Sequence, residues 1–259
     1  MVCNHKEANY RPISLISSIS KVLEKVVYLK LINFLDKYNI LSDCQYGFCN
    51  NTPTETPILD LAHEITSNME NKLLLIGVFI DLSKAFDSLD SSIILSKLHH
   101  YGVRGSALNW FASYLKDRFW FVQLNDIKSK SLPMFGGVPQ GSILGPVLFN
   151  IFINDVVFSS NMAKFILYAD DTTILFKHSN INDFISNSNK ELNVIYKWFL
   201  ANNLRLNIKK TCFIIFGPKI LTNQFHHSLS ISNINIDKVE STKFKLSLSP
   251  IKSQKILEF

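Results

Sequence analysis

At 259 residues the chain is long enough for one large domain or two small ones. Hydrophobic residues make up 47% and Phe alone numbers 20, which weighs against disorder and for a substantial core. A formal net charge of +6 suits a polyanionic partner such as nucleic acid without requiring one.

Cys3, Cys44, Cys49 and Cys212 form no C-x-x-C pair and no Cys/His set with zinc-finger spacing. Reduced thiols in an intracellular protein are the expectation. His99-His100 and His226-His227 are neighbours in sequence, which do not share a helix face, so neither pair suits a metal. No basic-then-apolar leader opens the sequence. Its longest apolar runs, Leu73–Ile80 and Val147–Ile153, fall short of the ~20 residues of a membrane span. Neither secretion nor a membrane is expected.

In chain order, Ser17 or Ser18 can cap a helix running to about Tyr38, with Ile19, Val22, Leu23, Val26, Leu29 and Ile32 as its apolar stripe. Ile58, Leu61, Ile65 and Met69 mark a second helix after a polar stretch. Leu73–Ile80 reads as a buried strand that stops at Asp81. Asp90 can cap a helix through His100, and Ala107–Lys116 reads as another. Trp120–Leu124 looks like a strand, Pro133–Gly141 a loop, and Leu144–Val156 an apolar helix. Phe165–Tyr168 and Thr172–Phe176 flank Ala169-Asp170-Asp171 as a hairpin with acids at its turn. A helix over Asn189–Asn202, a strand over Phe213–Phe216 and short alternating segments within Leu229–Ile236 follow. The order predicts an α+β fold, with helices packed on a mainly antiparallel sheet.

Two sites stand out because carboxylates close apolar strands: Asp81 after LLLIGVFI, and Asp170-Asp171 between FILY and TTILF. A carboxylate at the end of a buried strand needs a partner, and hard oxygen ligands suit Mg²⁺. Asp also favours turns for purely local reasons, so the hairpin alone leaves both readings open.

The surrounding residues narrow the choice. FIDLSKAFDSLD (79–90), GVPQGSILGPVLFNIFINDV (137–156) and YADD (168–171) stand in order. They resemble consecutive polymerase motifs of reverse transcriptases from non-LTR retrotransposons, the jockey-like group in particular. NYRPISLISSISKVLEKVV (9–27) resembles the first fingers motif of that family, and WFLANNLRLNIKKTCFIIFG (198–217) the segment after its catalytic hairpin.

The resemblance implies a right-hand polymerase, one reverse transcriptase domain over 1–259. It puts fingers in about 1–72 and part of 91–135, and palm in about 73–90 and 136–244. Residues 245–259 form an unassigned tail. It implies RNA-directed DNA polymerase activity with an RNA template, a DNA primer and dNTPs as partners, in the nucleus or cytoplasm. Two Mg²⁺ ions, or Mn²⁺, are implied as cofactors, held by Asp81, Asp170, Asp171 and the backbone carbonyl of Leu82. Phe86 matches the aromatic position beneath the incoming sugar, where it would exclude a 2′-hydroxyl. Gln140 and Gly141 fall in the nucleotide loop, and Lys210 matches a lysine near the triphosphate. Arg11, Gln45 and Gly47 match template or primer positions in the fingers motifs. Taken alone, Phe86 reads as core, Lys210 as a solvated lysine and Pro139-Gln140-Gly141 as an ordinary turn. Asp87 is expected to pair locally and Asp90 to cap a helix.

Two departures stand out. In QYGFCNNTPTE (45–55), Cys49 occupies the place where the family usually has Arg. Losing one such charge-assisted contact would weaken nucleotide binding by ~1.5–3 kcal/mol. After Lys243-Phe244 the family pattern stops mid-motif. A truncated or frameshifted copy with the thumb missing or incomplete is therefore expected, with no room for an endonuclease domain. The competing readings are a catalytically silent remnant and a non-enzymatic RNA-binding protein using the same cleft. Oligomeric state stays open.

Overall fold

Alternation of period two decides how the central strands are buried. The computed structural model describes residues 14–49, 53–124, 126–134, 136–139, 141–178, 181–218, 228–244 and 255–257. The chain begins with α1 (Ser18–Lys37) and α2 (Thr56–Glu70), then β1 (Leu74–Ile80). A 3-10 turn at Ala85–Ser88 leads to α3 (Ser91–His100) and α4 (Ser106–Leu115). Short strands follow: β2 (Arg118–Trp120), β3 (Gln123–Leu124), β4 (Ile127–Lys128) and β5 (Leu132–Met134). Next come α5 (Gly145–Ile153), a second 3-10 turn (Asn154–Ser159), β6 (Ala163–Tyr168), β7 (Asp171–His178) and α6 (Ile181–Ala201). The rest is β8 (Cys212–Phe216), β9 (Ser230–Ile231), β10 (Ile234–Asn235), β11 (Asp237–Lys238), β12 (Thr242–Phe244) and β13 (Lys255–Leu257).

The main sheet has five strands in the order β11-β8-β1-β7-β6, antiparallel except where β11 joins β8. In β1, Leu74, Ile76, Val78 and Ile80 face one core, with α3, α5 and α6, while Leu75 faces the other, against Leu61 and Ile65 of α2. In β6, Phe165 and Leu167 face the first core, Ile166 and Tyr168 the second. Both faces are covered, which is why β1 reads as an unbroken apolar run. From Val147 to Ile153 every side chain of α5 is buried, so this helix is surrounded by core.

Local signals explain the helix starts. Ser17 Oγ accepts the Ser20 N–H at 3.2 Å and caps α1. Asp90 Oδ1 accepts the N–H groups of Ser92 (2.8 Å) and Ile93 (3.2 Å), so Asp90 caps α3 as expected. These bonds, with the Ser92 hydroxyl foremost, hold its carboxyl below the usual carboxylate range.

Several elements differ from the sequence expectation. Of the predicted α1 stripe only Ile32 is buried; Ile19, Val22, Leu23, Val26 and Leu29 are 48–77% exposed. The helix instead buries Glu24, Leu31, Ile32 and Leu35. Its C-terminal half reaches the core, while the rest of the stripe stays about half exposed or more. The strand expected at Trp120–Leu124 is two short pieces, β2 pairing with β5 and β3 with β4. The helix expected over Leu144–Val156 ends at Ile153 and tightens into a 3-10 turn. Helix α6 starts at Ile181, eight residues before the expected start at Asn189.

Candidate active site

Strand register brings the acids to one end of the sheet. Ile80 pairs with Thr172 across β1 and β7, and Tyr168 pairs with Asp171 across β6 and β7. Asp81, the next residue beyond Ile80, therefore stands level with Asp171 and beside the turn that carries Asp170. Opposed residues in an antiparallel pair have Cβ atoms roughly 4.5–5.5 Å apart. No three His, Cys, Asp or Glu side chains among the described residues form a ready metal-ligand cluster. The three acids share one end of the sheet.

The backbone at Asp81 is fixed by the segment before β8. Asn207 N–H donates to the Asp81 carbonyl (2.8 Å), Ser83 N–H donates to the Arg205 carbonyl (2.8 Å), and Asp81 N–H donates to Thr211 Oγ1 (3.4 Å). The first two bonds bracket an antiparallel bridge between Leu82 and Leu206. In such a pair the bracketed residue turns its own N–H and C=O away from the partner. The Leu82 carbonyl consequently faces the side on which β7 pairs with β1. Lys210 is exposed on the turn that begins at Asn207, its N–H bonded to the Asn207 carbonyl (2.9 Å). That turn also supplies Thr211, so Lys210 is one residue from a direct contact with Asp81.

The Tyr168–Asp171 turn is held in an uncommon conformation. Ala169 has φ +53°, a left-handed geometry that costs a non-glycine residue roughly 1 kcal/mol. Residues 44–47 brace it: Leu167 N–H donates to the Cys44 carbonyl and Tyr46 N–H to the Leu167 carbonyl, both at 2.8 Å. Gly47 then packs so closely that a Cβ there would lie 2.5 Å from the Ala169 nitrogen. Its N–H donates to Gln45 Oε1 (2.9 Å) and its carbonyl accepts Asn150 Nδ2 (2.6 Å). Gln45 is 4% exposed and Gly47 is buried, so both meet the turn from the interior. Beside the turn, the Tyr168 hydroxyl has its pKa raised by burial first and by the Asp171 charge second.

Phe86 lies against Phe149 of α5, ring centroids 5.0 Å apart. Gly137 N–H donates to the Leu89 carbonyl (2.7 Å) and Val138 N–H to the Phe86 carbonyl (2.9 Å), docking the start of the predicted nucleotide loop on the 3-10 turn. Gly137 is required there: its φ is +82°, and a Cβ would come 2.8 Å from the Asp87 backbone. Gly141 is exposed at the tip of the loop. Arg11, Gln140 and most of the tail after Phe244 lie outside the described residues. Cys49, where a family arginine was expected, turns its thiol toward the carbonyls of Gln45 (3.3 Å) and Gly47 (3.5 Å). Burial, with a smaller contribution from Asp36, pushes that thiol up to about 11, so it is neutral at physiological pH.

Sequence reasoning did not single out Asn150, Asn154 and Thr211. Asn154 Nδ2 donates to the Ile40 carbonyl (2.8 Å) and its Oδ1 accepts the Ser42 N–H (2.8 Å). With Asn150 it fastens residues 40–47 to the far side of the sheet end. The available signal was two amides, four residues apart, in an otherwise apolar helical run.

The comparisons with known proteins agree with this geometry. The family described as "Reverse transcriptase (RNA-dependent DNA polymerase)" matches residues 4–254. The chain is 31% identical over 227 residues to a probable RNA-directed DNA polymerase from transposon BS of Drosophila melanogaster, covering 83% of the chain and 24% of that protein. It is 28% identical over 226 residues to the RNA-directed DNA polymerase from mobile element jockey of the same species, covering 82% and 24%. The chain thus spans about a quarter of the length of these curated relatives. Among solved structures, apo telomerase from Candida tropicalis aligns with a TM-score of 0.54 at 11% identity, over 77% of this chain and 37% of that one. At that identity the likeness concerns the fold alone, and it is the fingers and palm arrangement. By its sequence and its fold, the chain belongs to the reverse transcriptase family and is similar to the RNA-directed DNA polymerases of non-LTR retrotransposons.

Proposed function

We propose that the chain is the RNA-directed DNA polymerase core of a retrotransposon, adding deoxynucleotides to a primer 3′ end by two-metal nucleotidyl transfer. The observation that carries this reading is the register that sets Asp81 level with Asp171 beside the Asp170 turn. The donor chemistry fits: three hard carboxylates and the Leu82 carbonyl on one side suit Mg²⁺, or Mn²⁺. When bound, the ions would offset charge on the attacking and leaving oxygens.

The chain's own residues then divide the work. Phe86, held by Phe149 and by the loop bonded to its carbonyl, would stand under the incoming sugar and collide with a 2′-hydroxyl. Gln140 and Gly141 would flank the nucleotide, and Lys210 would neutralise charge on the departing pyrophosphate. Arg11 would contact template or phosphate. Gln45 and Gly47 would serve the template and primer site by fixing the turn beneath it. In this reading fingers occupy about 1–72 and part of 91–135, and palm about 73–90 and 136–244.

Primer extension on an RNA template with Mg²⁺ tests the proposal, with Asp170→Asn as control. Extension by the parent should fall by at least about a thousandfold in the variant. A second reading, RNA binding without extension, draws on the neutral, inward-turned Cys49 thiol, which offers the triphosphate no positive charge. RNA retention by the parent with no extension would favour it.

A further inference from the structure

Glu24 is the one α1 side chain that is both acidic and buried, at 3% exposure. Among the described residues it forms no salt bridge. Its carboxylate instead spans two distant parts of the chain. Oε1 accepts the Tyr114 hydroxyl of α4 at 3.0 Å, and Oε2 accepts the backbone N–H of Ile143 at 2.7 Å. Ile143 lies two residues past Gly141. Its neighbour Ser142 accepts the Gly145 N–H through Oγ (2.9 Å) and donates its own N–H to the Pro139 carbonyl (3.0 Å). Gly137 and Val138 are thus bonded to Leu89 and Phe86, and Ile143 to Glu24.

The pin is built. Trp110 stacks on Tyr114 with centroids 5.3 Å apart, and the Arg118 guanidinium lies 4.9 Å over the same ring. Tyr114 is thus clamped by side chains on its own helix and just beyond it. A buried carboxylate is costly unless its lone pairs are used, and here both oxygens accept a hydrogen bond. The carboxylate is set into α1, whose C-terminal half is anchored in the core by Leu31, Ile32 and Leu35.

We infer that Glu24 is a positioning residue for the polymerase site: through Ile143 it holds the backbone that follows Gly141, and so governs affinity for the incoming nucleotide. The inference rests on the polymerase reading for its kinetic consequence and on hydrogen bonding alone for the tether itself. Glu24 touches no reacting atom, so its loss acts on KM for the nucleotide and leaves kcat nearly unchanged.

The test pairs amide hydrogen exchange with steady-state extension kinetics, on the full chain carrying Glu24→Gln or Tyr114→Phe. Exchange in peptides spanning 141–145 should quicken by about tenfold or more in Glu24→Gln, with the 165–175 hairpin unchanged. KM for the nucleotide should rise by about tenfold, the loss of one charge-assisted hydrogen bond, with kcat within about threefold. Tyr114→Phe, which removes a single hydroxyl, should move both readouts the same way by less, and it decides the matter if Glu24→Gln does not fold. Unchanged exchange at 141–145 overturns the inference, as does an active variant in which kcat falls and KM does not. A parent chain that extends no primer defeats the polymerase reading, while the exchange result still decides whether Glu24 tethers the loop.

Discussion

The acid-bearing end of β1 and the N-terminal half of α1 both carry apolar side chains at the spacing of their element, and they end in opposite environments. Ile76 and Val78 are fully buried, flanked by β7 and β8 and covered on both faces. Ile19 and Leu23 are 77% and 60% exposed. Periodicity tells which residues would gain from leaving water; it does not supply the surface that receives them. At the strand end, many independent contacts fix one short turn. Along the N-terminal half of the helix, the stripe stays largely exposed.

Three tests break or sharpen this contrast, the largest first. Gly47→Ala pushes a methyl group to 2.5 Å from the Ala169 nitrogen, so that backbone must shift. Primer extension should fall by about a hundredfold or more, because the turn carrying Asp170 shifts, and stability by ~1–3 kcal/mol. Full activity in that variant would break the claim that residues 44–47 brace the turn. Next is a matched pair on α1. Leu35→Ala, at a position 1% exposed, should cost ~2–5 kcal/mol in urea unfolding, and Leu23→Ala within ~0.5 kcal/mol. Equal costs would mean that the stripe is covered in solution. The smallest is Asp90→Ala, which removes the α3 cap at a cost of about 1 kcal/mol at pH 7. The folded-state pKa of Asp90 is lowered, so its contribution is present above the ordinary value of 3.8 and fades as pH drops below it. The gap between parent and variant should close in acid, as read by thermal unfolding across pH.

The central architecture was legible because its signals are local. Asp81, Asp170 and Asp171 each interrupt an apolar run, and a charge at the end of a buried strand is conspicuous in one dimension. The Asp90 cap and the Ser17 cap were readable for the same reason. Glu24 and Asn150 were not, since their partners lie 119 and 103 residues away and nothing nearby distinguishes them from surface or filler residues. Gln45 was assigned by motif to the nucleic acid, whereas its amide is turned inward onto Gly47. A motif marks the position that matters without telling which way its side chain points. The α1 stripe misled for a related reason: helical spacing was right, but the buried side was decided by Glu24 and by what α4 offered it.

The order of strands has a consequence for the chain's birth. β1 sits at the middle of its sheet, yet both of its neighbours, β7 and β8, are made long after it, ending at His178 and Phe216. At roughly 5–20 residues per second of synthesis, the strand that delivers Asp81 waits on the order of ten seconds with both edges bare. During that interval LLIGVFI is a sticky, uncharged ribbon, open to pairing with any other nascent chain. Yield from a cell should therefore depend on temperature and on chaperone supply more than the finished molecule's stability would suggest.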